Sequence, residues 1–228
     1  MLSLCSREVS AISNSPQESA LDIQSQKLNA TGILLAGGKS LRMNQDKAFL
    51  EFEGRPLIER SLDLLRTVFT EVLISAGKHG TYETLGLPVV LDGTENRGPL
   101  EGLYQGLKTA SFDEVFFVAC DMPFLDAGLI RLLAEWSAAY DIVIPRFQSG
   151  PEAGLHPLHA FYHRRCLTVI EKNLETGKLK ISDLFPFCSV AYVGEADLPE
   201  SLDFSRIFYN VNTREEWLTL LLRGNQDN

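Results

Sequence analysis

From Thr31 onward the chain alternates short, unbroken apolar runs with segments whose apolar residues recur at helical spacing, and few folds accept that rhythm. The runs are GILLA (32–36), EVLIS (71–75), PVVL (88–91), EVFFVA (114–119) and DIVIP (141–145). Each is short and rich in β-branched or aromatic residues, as expected of a strand covered on both faces. Between them, Leu57, Ile58, Ser61, Leu62, Leu65 and Val68 follow a helical period, with Pro56 suited to a first turn. A second helix is expected from Pro99 through Leu103 and Leu107, and a third between Ala127 and Tyr140. The βαβ rhythm predicts an α/β fold, a mostly parallel sheet with helices on both faces.

The 228 residues suffice for one domain with a sizeable core. Its expected span is 31–222, between an extension over 1–30, polar and without an apolar signal core, and a short tail over 223–228. The segment 149–163, with its Gly, Pro and His residues, reads as an insertion over the site rather than a core element. The net charge of −9 disfavours general attraction to nucleic acid or an anionic membrane, so an anionic ligand must be held locally. Cys5, Cys120, Cys166 and Cys188 are far apart in sequence and form no CxxC pair, which argues against a zinc site or disulfide framework and for a reducing cytoplasm. No apolar stretch approaches the ~20 residues that cross a bilayer.

In open α/β sheets, ligands collect beyond the carboxyl ends of the strands. That rule selects the loops after Ala36, Leu91, Ala119 and Pro145. In the first, LLAGGKSLRMNQDKAFL (34–50), Gly37 and Gly38 remove side chains where the strand ends and let backbone N–H groups meet an anionic or carbonyl oxygen. A tight strand-to-helix turn explains the glycines equally well; Arg42 and Lys47 in the same loop favour a phosphate, with Asp46 placed to orient Lys47. The pattern is neither GxxxxGK[ST] nor GxGxxG. In ACDMPFL, Asp121 stands at a strand end, either as an oxygen donor for Mg²⁺ or as a cap for the next helix. Cys120 beside it is expected to point into the core.

In LDGTENRGPLEGL, Asp92 is placed to accept from a ribose hydroxyl or a base N–H, and Gly98 permits close approach. Arg97 either touches phosphate or is a solvated surface residue. In YNVNTREEW, Asn210 and Asn212 occupy alternate positions of one extended face, while Thr213 and Glu216 form a capping box for a final helix. For the asparagines, ordinary turn chemistry is the competing account.

Taken in order and spacing, LLAGGKSLRMNQDKAFL, RGPLEGL, CDMPFL, HPLHAFY and NVNTREEW resemble the molybdenum cofactor guanylyltransferases across roughly residues 31–222. The first segment is shared with many nucleotidyltransferases; its combination with GPLEGL and NVNT is more specific. The resemblance implies a Rossmann-like nucleotidyltransferase of the nucleotide-diphospho-sugar transferase type, moving GMP from GTP to the terminal phosphate of molybdenum-molybdopterin with release of pyrophosphate. It implies nucleotide contacts from Leu35, Ala36, Gly37, Lys47 and Asp92, GTP and Mg²⁺ at Asp121, and a pterin side at Asn210 and Asn212. Together with Gly38, Gly98 and the cationic Arg42, these are the candidate site residues.

Two positions depart from the family pattern. Asn44 stands where glycine is usual, and Ser75 stands near a nucleotide-binding asparagine of some relatives. The expected partners are GTP and molybdenum-molybdopterin, with transient contacts to cofactor-delivery proteins or recipient molybdoenzymes, and neither nucleic acid nor membrane. The competing readings are a cytidylyl or sugar-phosphate nucleotidyltransferase and a non-catalytic nucleotide or cofactor carrier.

Overall fold

The structure, a computed structural model, describes residues 26–36, 47–77, 82–94, 97–147, 154–199, 201–211 and 213–224. Its strands are β1 (Leu28–Leu35), β2 (Glu51–Phe52), β3 (Arg55–Pro56), β4 (Phe69–Ala76), β5 (Val89–Leu91), β6 (Glu114–Ala119), β7 (Ile142–Phe147), β8 (Gly154–Leu155), β9 (His159–His163) and β10 (Val190–Val193). The α-helices are α1 (Leu57–Val68), α2 (Pro99–Thr109), α3 (Ala127–Ser137), α4 (Leu167–Glu175), α5 (Phe204–Ile207) and α6 (Arg214–Gly224). The main sheet has the order β10-β7-β9-β6-β1-β4-β5, with β8 against β7. β1 runs parallel to both β4 and β6, β4 to β5 and β7 to β10, while β9 is antiparallel to β6 and β7. The mostly parallel sheet expected from the sequence is therefore present.

Alternation along the central strands divides the core between the two faces. Leu34, Phe116 and Val118 join Ile58, Leu62 and Leu65 of α1 and Leu129, Ile130 and Leu133 of α3. Ile33, Val115 and Phe117 point the other way, to Leu100, Leu103 and Leu107 of α2 and Ile170 and Leu174 of α4. Phe69, Phe116 and Phe161 form an aromatic centre on the first face, with ring centroids 5.1 to 6.1 Å apart. A smaller cluster of Leu50, Phe52, Leu57, Val211 and Leu220 seats the carboxyl-terminal helix against the β2–β3 hairpin.

The helix ends follow local chemistry. Pro56 directly precedes α1. Gly98 opens α2 at φ 63°, a left-handed conformation that glycine adopts without penalty, and Pro99 is the first helical residue. Asp126 caps α3 by accepting from Leu129 N–H at 2.8 Å. That helix stops at Ser137, short of the expected Tyr140, where the N–H groups of Ala138 and Ala139 turn to the Trp136 carbonyl in place of the i−4 partners of an α-helix. At α6 the capping box forms as expected: Thr213 N–H donates to Glu216 Oε2 at 2.9 Å, and Glu216 N–H to Thr213 Oγ1 at 3.2 Å.

One expectation is overturned. Residues 154–163, the described part of the segment 149–163, are not an insertion over the site but supply β8 and the antiparallel strand β9 in the middle of the sheet. Ala160, Phe161 and Tyr162 are buried there, and His159 is buried with them because Phe116 and Phe208 pack edge-on against its ring. β1 begins at Leu28, pairing with Phe69, and α6 continues to Gly224.

Candidate nucleotide site

The chain leaves β1 and its neighbour β6 in opposite directions across the sheet, which opens a crevice beyond their carboxyl ends. Backbone bonds make those ends flush. Ala36 N–H donates to Ser75 O at 2.8 Å, Cys120 N–H to Leu35 O at 3.1 Å, and Asp92 N–H to Ala76 O at 3.1 Å. Thus Leu35, Ala36, Ser75, Asp92 and Asp121, scattered over 87 positions of sequence, meet along one rim. Gly37, Gly38 and Arg42, with Asn44 and Asp46, lie outside the described residues; Lys47, which begins a short 3₁₀ turn, lies within them.

On one side of the rim stands Asp121. Burial pushes its carboxyl group up from the usual range, the nearby positive charge of Lys47 opposes that rise, and the negative charge of Glu216 adds to it. Lys47 and Asp121, 74 positions apart, are thereby placed within electrostatic reach of each other. Val211 N–H donates to the Asp121 carbonyl at 2.9 Å, which ties the NVNT segment to this corner. The cap expected as the alternative role for Asp121 belongs instead to Asp126. Asn210 spends its amide N–H on the Phe208 carbonyl at 2.9 Å, an ordinary turn contact, and Asn212 lies outside the described residues.

On the other side, α2 approaches the strand ends closely. A methyl group at Gly102 would sit 2.9 Å from Ser75 Oγ, 3.0 Å from Leu35 Cδ2 and 3.7 Å from Asp92 Oδ1. Ser75 is buried under this contact. The Asp92 carboxyl is pushed up in pKa by its burial and by the charge of Glu101. Arg97, read from sequence as a phosphate contact or a solvated residue, faces Glu101, with Nη1 3.6 Å from Oε2.

His156 and His159 belong to an aromatic cluster with Phe147, Phe204 and Phe208 rather than to the rim. Burial, then the neighbouring His156, lower the pKa of His159 to about 3, so it is neutral at physiological pH. Cys120 packs against the first core cluster, as expected. Cys166 and Cys188, 22 positions apart, come to 4.0 Å between sulfurs, a proximity their spacing does not announce.

Two acidic residues at the site escape a reading of sequence. Glu216 has a complete local explanation as half of a capping box, which hides its second role facing Asp121. Glu101 occupies a helical first turn where an acid is ordinary, and only the fold shows its side chain to be 3% exposed. Among the described residues, no group of three or more His, Cys, Asp or Glu side chains forms a closed metal cage, and no helix is long and apolar enough to cross a membrane.

Comparisons with known proteins identify the family. The family model described as "MobA-like NTP transferase domain" matches residues 32–185. A probable molybdenum cofactor guanylyltransferase of Pelotomaculum thermopropionicum is 42% identical over 82% of this chain and 89% of its own. The molybdenum cofactor guanylyltransferase of Desulfosudis oleivorans is 35% identical over 82% of this chain and 91% of its own. Among solved structures, molybdopterin-guanine dinucleotide biosynthesis protein A of Archaeoglobus fulgidus superposes with a TM-score of 0.73, covering 86% of this chain and 99% of that one at 21% identity, a likeness of fold. The chain is a nucleotidyltransferase and belongs to the MobA-like NTP transferase family, among the molybdenum cofactor guanylyltransferases.

Proposed function

We propose that this protein transfers GMP from GTP to the terminal phosphate of molybdenum-molybdopterin, forming the guanine dinucleotide and pyrophosphate, and that it does so in the cytoplasm. The observation that carries the reading is the partly buried Asp121 carboxylate within electrostatic reach of Lys47 just past the end of β6, in a chain whose relatives bear that activity in their names. The acceptor needs little activation. A phosphate monoester has a second pKa of about 6, so its oxygen is already ionised near neutrality, and the neutral, buried His159 is not required as a base.

The difficulty is electrostatic, because two anions must meet in line while charge grows on pyrophosphate. Lys47 supplies positive charge at the rim, Arg42 is assigned the same task on the glycine loop, and Gly37 and Gly38 are assigned the cradle for the nucleotide. Leu35 and Ala36 end the strand beneath it. Asp92 accepts from the nucleoside and Gly98 gives the loop its turn; Asn210 and Asn212 are assigned to the pterin side, Asn210 through the side-chain oxygen that its turn contact leaves over.

Mg²⁺ fits the donor set. It commonly binds through one or two carboxylates plus substrate phosphates rather than in an all-protein cage. Asp121 is a partly buried carboxylate, and a bound cation would relieve its repulsion from Glu216. Asp121 would hold the ion, which when bound neutralises triphosphate charge and steadies the departing pyrophosphate. Delivery proteins and recipient molybdoenzymes are the expected transient partners.

The test is pyrophosphate release with Mg²⁺, molybdenum-loaded molybdopterin and either GTP or CTP, with Asp121→Ala and Lys47→Ala controls. Release with GTP, lowered about 10²- to 10³-fold in folded Asp121→Ala, is the expected result. Release with CTP alone would overturn the base assignment, and nearly normal turnover in Asp121→Ala would remove that residue from the metal role. No release with either nucleotide would favour another acceptor or a carrier.

A further inference from the structure

Glu101 is one of the few charged side chains buried in the described structure, and it lies at the nucleotide rim without being explained by the core. A carboxylate taken out of water is costly unless its oxygens are satisfied. Oε1 is well served: Gly93 N–H donates to it at 3.1 Å and Gln105 Nε2 at 2.8 Å. Among the described residues Oε2 has no hydrogen-bond partner, although Arg97 Nη1 stands 3.6 Å away. Gly93 and Arg97 flank the loop that joins β5 to α2, and Gly93 directly follows Asp92. One side chain thus reaches both ends of the loop that presents Asp92.

The clasp also explains a glycine. A methyl group at Gly93 would lie 2.5 Å from Gln105 Nε2 and 3.0 Å from Glu101 Oε1, so the acid and its i+4 glutamine occupy the space that a side chain would need. The backbone of Gly93 can therefore sit directly on the carboxylate. Because Asp92 N–H is already bound to Ala76 O, the two peptides that flank Asp92 are each held, the preceding one by β4 and the following one by Glu101. A residue held in this way presents its side chain in one direction.

We propose that Glu101 is a positioning residue that determines nucleotide specificity: by clasping Gly93 and Arg97 it fixes the direction in which Asp92 offers its carboxylate to a donor group of a guanosine nucleotide. The proposal rests on the reading of function given above, and it adds a specificity role to a residue that touches no substrate itself. Two donors are available to Asp92, the N1–H and 2-amino edge of guanine and the ribose hydroxyls. Inosine triphosphate lacks the 2-amino group and 2′-deoxyguanosine triphosphate lacks a hydroxyl, so the two analogues separate them. A site built to bind such a group discriminates strongly against the analogue that lacks it.

The experiment measures kcat and KM for GTP and both analogues, by pyrophosphate release, in the wild type, Glu101→Ala, Glu101→Gln, Asp92→Asn and the double variant Asp92→Asn/Glu101→Ala. Expected is a rise in KM for GTP of about 10-fold or more in Glu101→Ala, with kcat within about 3-fold, since a bond to a charged group is lost. Discrimination against one analogue should collapse in Glu101→Ala and in Asp92→Asn alike. The double variant should be no worse than Asp92→Asn, because one residue acts through the other. Glu101→Gln, whose amide oxygen still accepts from Gly93, should recover most of the loss.

Independent, multiplying effects of the two substitutions would overturn the proposal. So would an equal loss toward all three nucleotides accompanied by a lower Tm, the signature of a merely structural role. If Glu101→Ala does not fold, Gly93→Ala displaces the same clasp and should raise KM with the same loss of discrimination; unchanged discrimination there refutes the idea. Absence of turnover with GTP in the wild type would defeat the functional reading instead, and equilibrium binding of GTP to the wild type and Glu101→Gln would then still decide the clasp.

Discussion

Gly102→Ala sets two effects of opposite sign against each other, and the structure says which wins. In an exposed helix the change is favourable by about 0.5–1 kcal/mol, because alanine loses less backbone entropy on folding than glycine. Gly102 is not exposed: it lies in α2 against the strand ends, where the new methyl group would sit 2.9 Å from Ser75 Oγ and 3.0 Å from Leu35 Cδ2. Ordinary contact begins near 3.4 Å, so the neighbours must retreat by about half an ångström in a close-packed interior. Ser75 is itself buried, which leaves no solvent into which it can swing. Overpacking of this kind costs about 1–3 kcal/mol.

The net expectation is a loss of about 1 kcal/mol, equivalent to a fall in Tm of about 2–4 °C for a domain of this size. The functional effect should be larger than the stability effect, because the proposed site takes the displaced groups as the floor beneath the nucleotide. A misplacement of 1 Å costs on the order of 10²-fold, so half that distance should raise KM for GTP by about 10-fold. The assay is pyrophosphate release across a GTP titration, paired with thermal unfolding without nucleotide. A variant with higher Tm and unchanged KM would refute the reasoning, since α2 would then have room to spare and Ser75 and Leu35 would not form the floor.

Two further outcomes are expected. Glu71 links β1 to the turn after α2, with Oε2 accepting from Thr31 Oγ1 at 2.6 Å and Ser111 N–H at 2.8 Å, and Oε1 from Ser111 Oγ at 2.7 Å. Burial would raise its pKa, but the bonds from Ser111 and Thr31 win and hold it below the usual range. Its stabilisation is therefore present above the unfolded pKa, about 4.3, and is lost as pH falls through the lower folded value. Glu71→Gln should be about 1 kcal/mol less stable at pH 7 in urea unfolding, the bonds being partly solvent-screened, with the gap closing in acid; a gap that persists at acid pH contradicts this assignment. Of the neighbouring thiols, the bond between them and burial push Cys166 up, while the same bond lowers Cys188. Iodoacetamide followed by peptide mass spectrometry should find Cys188 modified well before Cys166, and the reverse order would contradict this assignment.

Much of the molecule is legible in local patterns. The five apolar runs became β1, β4, β5, β6 and β7 because a short, continuous apolar run between helices has little alternative to a strand covered on both faces. The helix over 57–68, the Gly98–Pro99 start and the Thr213–Glu216 box are written in neighbouring residues, since helical period and capping chemistry act over three or four positions. Asp92 and Asp121 were readable as candidate site residues because ligands of a parallel sheet collect beyond its strand ends, and the two follow the runs that end at Leu91 and Ala119.

What the tertiary structure alone decided is long-range. β9 alternates too weakly and follows too many turn-forming residues to announce a strand; it exists because the edges of β6 and β7 offer unpaired backbone groups that an antiparallel segment satisfies. The conjunction of Lys47 with Asp121 and Glu216, and the burial of Glu101 against Gly93, join residues up to 169 positions apart or hide an acid where local rules expect exposure. Spacing along a chain carries no information about such meetings, because their energy arises only when the sheet has brought the strand ends together and excluded water from between them.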